Sequence, residues 1–121
     1  MKKTILLYLC IITLSGCLKE KQTQYSTDTE EVFLVITENT TKQELIQIAA
    51  EFKEKRNIDI DFSKSEFSGS GKILNLDLKV DCNDGFKGTT AGSSESFRFN
   101  YYGFSRDYSP ESKRAFHIGA M

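Results

Sequence analysis

Apolar and polar residues alternate along the chain in a way that predicts four strands and one helix. The β-branched and aromatic run Val32–Thr37 predicts the first strand. Strict alternation predicts three more, over Ile58–Phe62, Lys72–Asp81 and Ser96–Tyr102, in which every second side chain faces a core. Each of the last three strands should therefore have one apolar face and one polar face.

The segment between the first two strands has the pattern of an amphipathic helix. Its apolar stripe at i, i+3, i+4 and i+7 consists of Leu45, Ile48, Ala49 and Phe52. Thr41 and Glu44 have the spacing of a capping box at the start of a helix, and Asn57 suits the left-handed residue that ends one. The helix is thus bounded at both ends by local signals.

The element order β-α-β-β-β predicts an α+β fold with one helix packed on one face of a four-stranded mixed sheet. The first two strands would run parallel through the helical crossover, and the last three would form a meander. The Gly-, Ser- and Thr-rich segment Cys82–Glu95 is expected to be a loop. Tyr102 would end an edge strand, and Gly103 would turn the chain there.

Residues 1–16 have the organisation of a bacterial lipoprotein signal peptide. A positively charged start is followed by a ten-residue apolar run, Ile5 to Leu14, which as a helix is about 15 Å long and too short to span a bilayer. The sequence Leu-Ser-Gly-Cys that ends at Cys17 resembles a lipobox, in which the cysteine thiol receives diacylglycerol before cleavage. We predict that Cys17 is the lipidated N-terminus of the mature protein; the alternative is an ordinary secretory signal that contains a cysteine.

Three parts follow from this interpretation: a signal peptide at 1–16, a lipidated cysteine with a polar, flexible tether at 17–31, and a small α+β domain at 32–121. The protein should then reside in the cell envelope, attached to membrane lipid. Leu18 follows the cysteine, instead of the Asp that resembles an inner-membrane retention signal. In a bacterium with two membranes we therefore expect the outer membrane.

The charge balance excludes some partners. The chain has 16 Lys+Arg and 17 Asp+Glu, and loss of residues 1–16 leaves 14 basic against 17 acidic residues. The chain lacks the basic excess that would indicate nucleic-acid binding. It also lacks a polybasic segment that could attach it to a membrane without lipid. No metal-ligand or cofactor motif is present in the sequence, so we expect no metal and no cofactor. After lipidation of Cys17, Cys82 would have no disulfide partner.

No pattern in the chain predicts catalysis, so we expect a protein that is not an enzyme. Asp81–Gly85 resembles a calcium loop, but its glycine stands one position early and Gly92 occupies the place of the bidentate Glu, so a plain turn is expected. No histidine is near Cys82 in the sequence to activate its thiol. Three outward-facing aspartates are expected to be solvated strand residues: Asp59, Asp61 and Asp77.

The strongest candidates for partner contact are Tyr101, Tyr102, Phe104, Arg106 and Tyr108. Exposed aromatic side chains with an arginine are typical of binding interfaces. An edge strand in this region would also allow a partner to add a strand. The alternative is that these aromatic side chains enlarge the core.

Four segments of the chain resemble a known module: Ile36–Leu45, Phe52–Lys55, Ile58–Ser63 and Gly71–Val80. It is the extracytoplasmic C-terminal module that follows the zinc-peptidase domain in antirepressor-type membrane proteins of the beta-lactam-sensor family. The resemblance covers residues 32–85 and implies an accessory or recognition module outside the cytoplasm. It implies no peptidase activity, because the chain lacks a His-Glu-x-x-His motif and His117 is its single histidine.

Two functions are consistent with the sequence. The first is a membrane-anchored, non-enzymatic module that binds a protein or another component of the envelope. The alternative is a small extracytoplasmic inhibitor or immunity-type protein with a cystatin-like helix-on-sheet shape. A binding module should have an exposed aromatic or apolar patch, whereas an inhibitor should have a projecting loop, for which Cys82–Glu95 is the candidate.

Overall fold

The structure, a computed structural model, describes residues 22–121. The predicted signal peptide and the predicted lipidation site Cys17 lie outside these residues. We number the elements in chain order: β1 (Gln24–Ser26), β2 (Glu31–Ile36), α1 (Lys42–Arg56), β3 (Asp59–Asp61), β4 (Glu66–Phe67), β5 (Ile73–Asp81), β6 (Lys87–Ser93), a 3-10 helix (Ser96–Arg98), β7 (Tyr102–Asp107) and β8 (Phe116–Ala120).

Helix α1 begins and ends as its sequence predicts. The hydroxyl of Thr41 accepts from the backbone N–H of Glu44 at 3.2 Å, and the backbone N–H of Thr41 donates to the Glu44 carboxylate at 3.0 Å. Asn57 ends the helix in the left-handed conformation, with φ at 56°. The helix buries Leu45, Ile48 and Phe52. These local signals therefore determine the helix bounds.

The strands form two antiparallel sheets. The first has the order β1-β2-β7-β8; in the second, β5 pairs with β6 along one edge and with β3 and β4 along the other. The α+β class with a single helix is confirmed for residues 22–121. The expected mixed sheet is wrong in its pairing, because β2 and β3 belong to different sheets and no parallel crossover forms. Strand β7 takes the place beside β2, with Phe104 opposite Leu34.

One hydrophobic core joins both sheets and the helix. It is built from alternate residues of β2 and β5, the helical stripe and isolated side chains from other segments: Val32, Leu34, Ile36, Leu45, Ile48, Phe52, Ile58, Ile73, Leu76, Leu78, Val80, Cys82, Phe97 and Phe104. Phe52 lies fully buried at its centre, with its ring centroid 5.3 Å from that of Phe104 and 6.2 Å from that of Tyr25. The aromatic ring of Phe52 thus connects α1 to strands of the first sheet.

The segment expected to be a tether belongs to the fold from β1 onward. Strand β1 pairs with β2, and Glu51 of the helix accepts hydrogen bonds from the hydroxyls of Tyr25 and Thr27, each at 2.9 Å. Arg56 donates to the carbonyl oxygens of Thr27 and Thr29 at 2.9 and 2.7 Å. The expectation of a tether reaching residue 31 is therefore wrong, because hydrogen bonds to the helix compensate for the segment's lack of apolar residues.

Gly103 does not turn the chain; it lies inside β7, between β2 and β8. A Cβ atom at this position would stand 1.8 Å from the carbonyl oxygen of Leu34, so only glycine fits the approach of the two backbones. The predicted sheet edge at Tyr102 is also wrong, because β8 pairs along the free side of β7 from Tyr102 to Arg106. No pattern of apolar and polar residues in the sequence predicts strand β8.

The expected loop Cys82–Glu95 contains a seven-residue strand. Strand β6 pairs with β5 without interruption from Lys87 to Ser93. Its half-buried residues include Gly88 and Gly92, where a Cβ would stand 2.8 Å from Ile118 and 2.7 Å from Tyr102. Glycine in this strand therefore permits close packing against the first sheet, which a sequence pattern based on apolar residues does not detect.

The last predicted strand, Ser96–Tyr102, begins instead as a 3-10 helix. Ser93 and Ser96 exchange two hydrogen bonds, each hydroxyl accepting from the other residue's backbone N–H at 2.9 and 3.2 Å. Such side-chain bonds favour a local turn over an extended strand. The turn buries Phe97 and leaves Phe99 83% exposed, so the expectation that both face the core is wrong.

A β-bulge in β5 turns Leu74 to solvent. Glu66 pairs with Asn75 and Phe67 with Ile73, so Leu74 is the extra residue on its strand. Ile73 takes the buried position in its place, and Leu74 is 45% exposed. The alternation predicted for this strand therefore holds from Leu76 onward and fails before it.

Two substitutions on helix α1 should differ in their effect on stability. Phe52→Ala should lower the free energy of unfolding by about 3–5 kcal/mol, because it leaves a cavity at the centre of the core. Thr41→Ala removes only one capping hydrogen bond and should cost about 1 kcal/mol. Urea titration of the mature chain measures both values. Equal losses would contradict the central position of Phe52.

A pair of glycine substitutions tests the position of β7. Gly103→Ala should prevent folding or lower the unfolding free energy strongly, because its Cβ would overlap the backbone of β2. Gly69→Ala is the matched control, since a Cβ there meets nothing within 4 Å. Thermal unfolding monitored by circular dichroism compares the two variants. A Gly103→Ala variant as stable as the control would contradict the β2–β7 pairing.

Candidate functional site

The loops and chain ends lie at two opposite ends of the domain. At one end are Thr23, the turn Thr37–Thr40 and the final residue Met121, because β1 starts, β2 ends and β8 ends there. We call this the proximal end, since the described chain begins there. Helix α1 starts near it and runs to the distal end, which holds Arg56 and the loop Ser109–Ala115.

Hydrogen bonds fix the start of the chain at the proximal end. The hydroxyl of Thr23 lies 2.6 Å from that of Thr40 and donates to the Glu44 carboxylate at 3.1 Å. The hydroxyl of Thr40 also accepts from the backbone N–H of Thr37 at 2.9 Å. The chain is therefore held against the first turn of the helix one residue before β1 begins.

Two of the five predicted contact residues belong to the interior. Phe104 is fully buried against Phe52, and Tyr102 is half-buried with its ring centroid 5.0 Å from that of Phe97. The expectation that Phe104 lies on a contact surface is wrong, and the ring of Tyr102 packs inward. Strand β7 lies between two others, so its inward face packs on the core.

Arg106 and Tyr108 form a stack at the distal end. The guanidinium of Arg106 lies 4.5 Å from the ring centroids of both Phe86 and Tyr108, and it pairs with the Asp84 carboxylate at 2.8 Å. Arg56 lies over the ring of Tyr108 at 5.0 Å. These contacts connect the turn before β6 to β7 and to the helix end. Both predicted residues therefore have partners within the fold, which indicates a structural role.

Tyr101 is the predicted contact residue that is most exposed, and it lies at the proximal end beside Met121, whose backbone N–H donates to its carbonyl at 2.9 Å. Other large apolar side chains are exposed at the same end. We call the group the apolar patch: Leu74 (45% exposed), Phe99 (83%), Tyr101 (37%) and Met121 (42%). Sequence reasoning found only Tyr101 among these residues.

A groove of about 620 Å³ lies next to the apolar patch. Its walls come from the turn after β2, the start of β5 and the 3-10 segment; they include Glu38, Lys72, Leu74, Glu95, Phe97 and Arg98. Acidic and basic side chains are equally represented among these six, and Leu74 belongs to both groove and patch. The proximal end thus combines a polar groove with an apolar rim.

Cys82 is a buried free thiol in the core, 4% exposed. Burial raises its pKa from the ordinary value of 9.0 to about 11, and the neighbouring Asp84 carboxylate acts in the same direction. The thiol is therefore neutral at physiological pH. A neutral, buried thiol is a poor nucleophile, so Cys82 serves packing.

The acidic residues singled out in the sequence make ordinary structural contacts. Asp59 pairs with Lys53 at 2.8 Å, and this contact lowers the pKa of its carboxyl. Asp61 accepts from the backbone N–H of Ser63, which also lowers its pKa. In the turn that begins at Asp81, the Asp81 carboxylate accepts from the backbone N–H of Asn83 at 2.9 Å. Within residues 22–121, no three His, Cys, Asp or Glu side chains form a group that could hold a metal ion.

Helix α1 is too short and too polar to cross a membrane, and no other part of the chain from residue 22 onward forms a membrane-spanning helix. Comparison of the chain with family models, curated proteins and solved structures gives no match. The resemblance of residues 32–85 to the module of antirepressor-type proteins therefore stays a prediction.

The raised pKa of Cys82 predicts a loss of stability at high pH. Between pH 9 and 11 the folded protein holds the thiol proton more tightly than the unfolded chain does. The contribution of this group is therefore complete below pH 9 and is lost as the pH rises to 11, by up to about 2–3 kcal/mol. Urea titrations across this range should show a shallower decrease for Cys82→Ala than for the unaltered chain. Parallel pH profiles would contradict burial of a neutral thiol.

Proposed function

We propose that this protein is a lipid-anchored component of the bacterial cell envelope and that it acts by binding, not by catalysis. The observation that carries the proposal is that the described chain starts at the proximal end, where four large apolar side chains are exposed. Strand β1 starts at Gln24, seven residues after Cys17. The attached end is therefore the end that bears the apolar patch.

The exposed patch supports a binding role. Exposed apolar side chains scattered singly are normal on a protein surface, whereas a contiguous group of them is typical of an interaction site. Leu74, Phe99, Tyr101 and Met121 come from three separate segments of the chain, and all three segments lie at the proximal end. The adjacent groove adds charged groups of both signs, which favours a partner that presents apolar and polar groups together.

The geometry gives less support to the alternative of an inhibitor or immunity-type protein. That function depends on a projecting loop, for which Cys82–Glu95 was the candidate. Half of this segment is strand β6, paired with β5 along its whole length. Its remaining turn is tied down, since Asp84 pairs with Arg106 at 2.8 Å. We therefore propose the binding module alone.

The proposed location follows from the residues around the cleavage site. An acylated cysteine with several acyl chains anchors a protein stably, whereas a single chain does so only marginally. Leu18 after the cysteine favours the outer membrane in a bacterium with two membranes. The resemblance of residues 32–85 to an extracytoplasmic module agrees with an envelope location.

The anchor is tested by two matched cysteine substitutions in the N-terminal segment. Cys17→Ala should abolish incorporation of an alkyne-labelled fatty acid and release the protein from the membrane fraction, because the acylated thiol is gone. Cys10→Ala removes a cysteine from the apolar run and should leave labelling unchanged. Label retained by Cys17→Ala, or lost only in Cys10→Ala, would contradict the proposal.

A further inference from the structure

We propose that the partner of the apolar patch is the lipid bilayer itself, so that the proximal end rests on the membrane to which Cys17 attaches the chain. This inference depends on the lipid anchor proposed above. It assigns to Leu74, Phe99, Tyr101 and Met121 a contact with the interfacial region of the bilayer.

The first argument is the length of the connection. Six residue steps separate Cys17 from Thr23, which is hydrogen-bonded into the fold. Even fully extended, six residues reach only about 20 Å. A domain of 100 residues has a radius of gyration of about 13 Å. Thr23 therefore stays within about 20 Å of the lipidated residue, a distance comparable to the size of the domain.

The second argument is the way in which the patch is presented. Phe99 extends from an ordered turn, because its backbone N–H and that of Asn100 both donate to the carbonyl of Ser96 at 3.1 Å. The backbone of Leu74 is held in the bulge, where its carbonyl accepts from Ser94 at 2.9 Å. The patch thus consists of large apolar side chains on fixed backbone, a preorganised surface that loses little freedom on contact.

The third argument is composition. Tyrosine is enriched where a membrane meets water, and Phe and Leu are the side chains that interfacial protein segments insert. Lys72 and Arg98 border the patch along the groove, where long basic side chains can place their apolar stems against lipid and their charges in the headgroup layer. The distal loop 109–115 has no large exposed apolar side chain, and the exposed Phe86 at that end is stacked on Arg106 and Phe116.

The charges indicate that apolar contact dominates. The mature chain would carry 14 basic and 17 acidic residues, and the groove beside the patch has both signs in equal number among its charged walls. The electrostatic attraction between this protein and anionic lipid is therefore weak. Because the anchor already holds the domain at the surface at high effective concentration, a weak apolar contact is enough to orient it.

The experiment uses the absence of tryptophan from the chain. A single tryptophan introduced by Phe99→Trp, or independently by Leu74→Trp, reports on the patch. Lys113→Trp, in the exposed distal loop, is the matched control. Each full-length, lipidated variant is reconstituted into phosphatidylcholine vesicles with and without lipid brominated at a shallow acyl position. We expect a blue shift and loss of emission in brominated vesicles for both patch reporters and no change for the distal control.

The outcomes separate the anchor from the orientation. A chain that does not co-sediment with vesicles would contradict the anchor and, with it, this inference. A chain that co-sediments but leaves both patch reporters in water would overturn the orientation alone, and so would equal quenching of the distal control. Quenching that needs anionic lipid and disappears with salt would overturn the apolar contact. If the patch tryptophans show a blue shift in native envelope membranes but not in pure vesicles, the patch contacts another envelope component and the lipid contact is overturned.

Discussion

The contact of Phe52 with Phe104 and Tyr25 determines where this domain begins. Phe104 comes from the centre of the first sheet and Tyr25 from its edge strand, so one helical side chain joins the core to the first residues of the fold. The carboxylate of Glu51, one residue earlier on the helix, accepts from Tyr25 and Thr27. Apolar packing and hydrogen bonding therefore fix the same short segment at the start of the described fold.

Local signals predicted the elements whose own residues specify them. The cap at Thr41, the left-handed Asn57 and the apolar stripe between them are local signals that specify the bounds of helix α1. Alternation over Ile58–Phe62 and Lys72–Asp81 predicted strands at both places, although the first of them is only three residues long. In these segments local preference and tertiary packing agree.

The elements that were missed depend on partners distant in sequence. Strand β1 is polar and is stabilised by side chains of the helix, and β6 is rich in glycine because Ile118 and Tyr102 lie against it. Gly103 was expected in a turn, since a glycine required by a close backbone approach and one required by a turn look alike in a sequence. If Gly103 made a turn, Phe104 after it would lie on the surface. Because β7 lies between β2 and β8, Phe104 is instead a core residue.

The residues of the candidate site that sequence reasoning missed have a common cause. Leu74 is exposed because a bulge inserts it into β5, and Phe99 is exposed because two serine hydroxyls turn the chain before it can form a strand. Each departure moves a large apolar side chain from an expected core position to the surface, and both occur at the end where the chain emerges toward Cys17. Conflicts between local pattern and final structure are expected at functional sites, where the requirements of folding do not decide the residue. Two independent distortions therefore expose apolar side chains at the proximal end, which is the pattern that the proposed membrane contact requires.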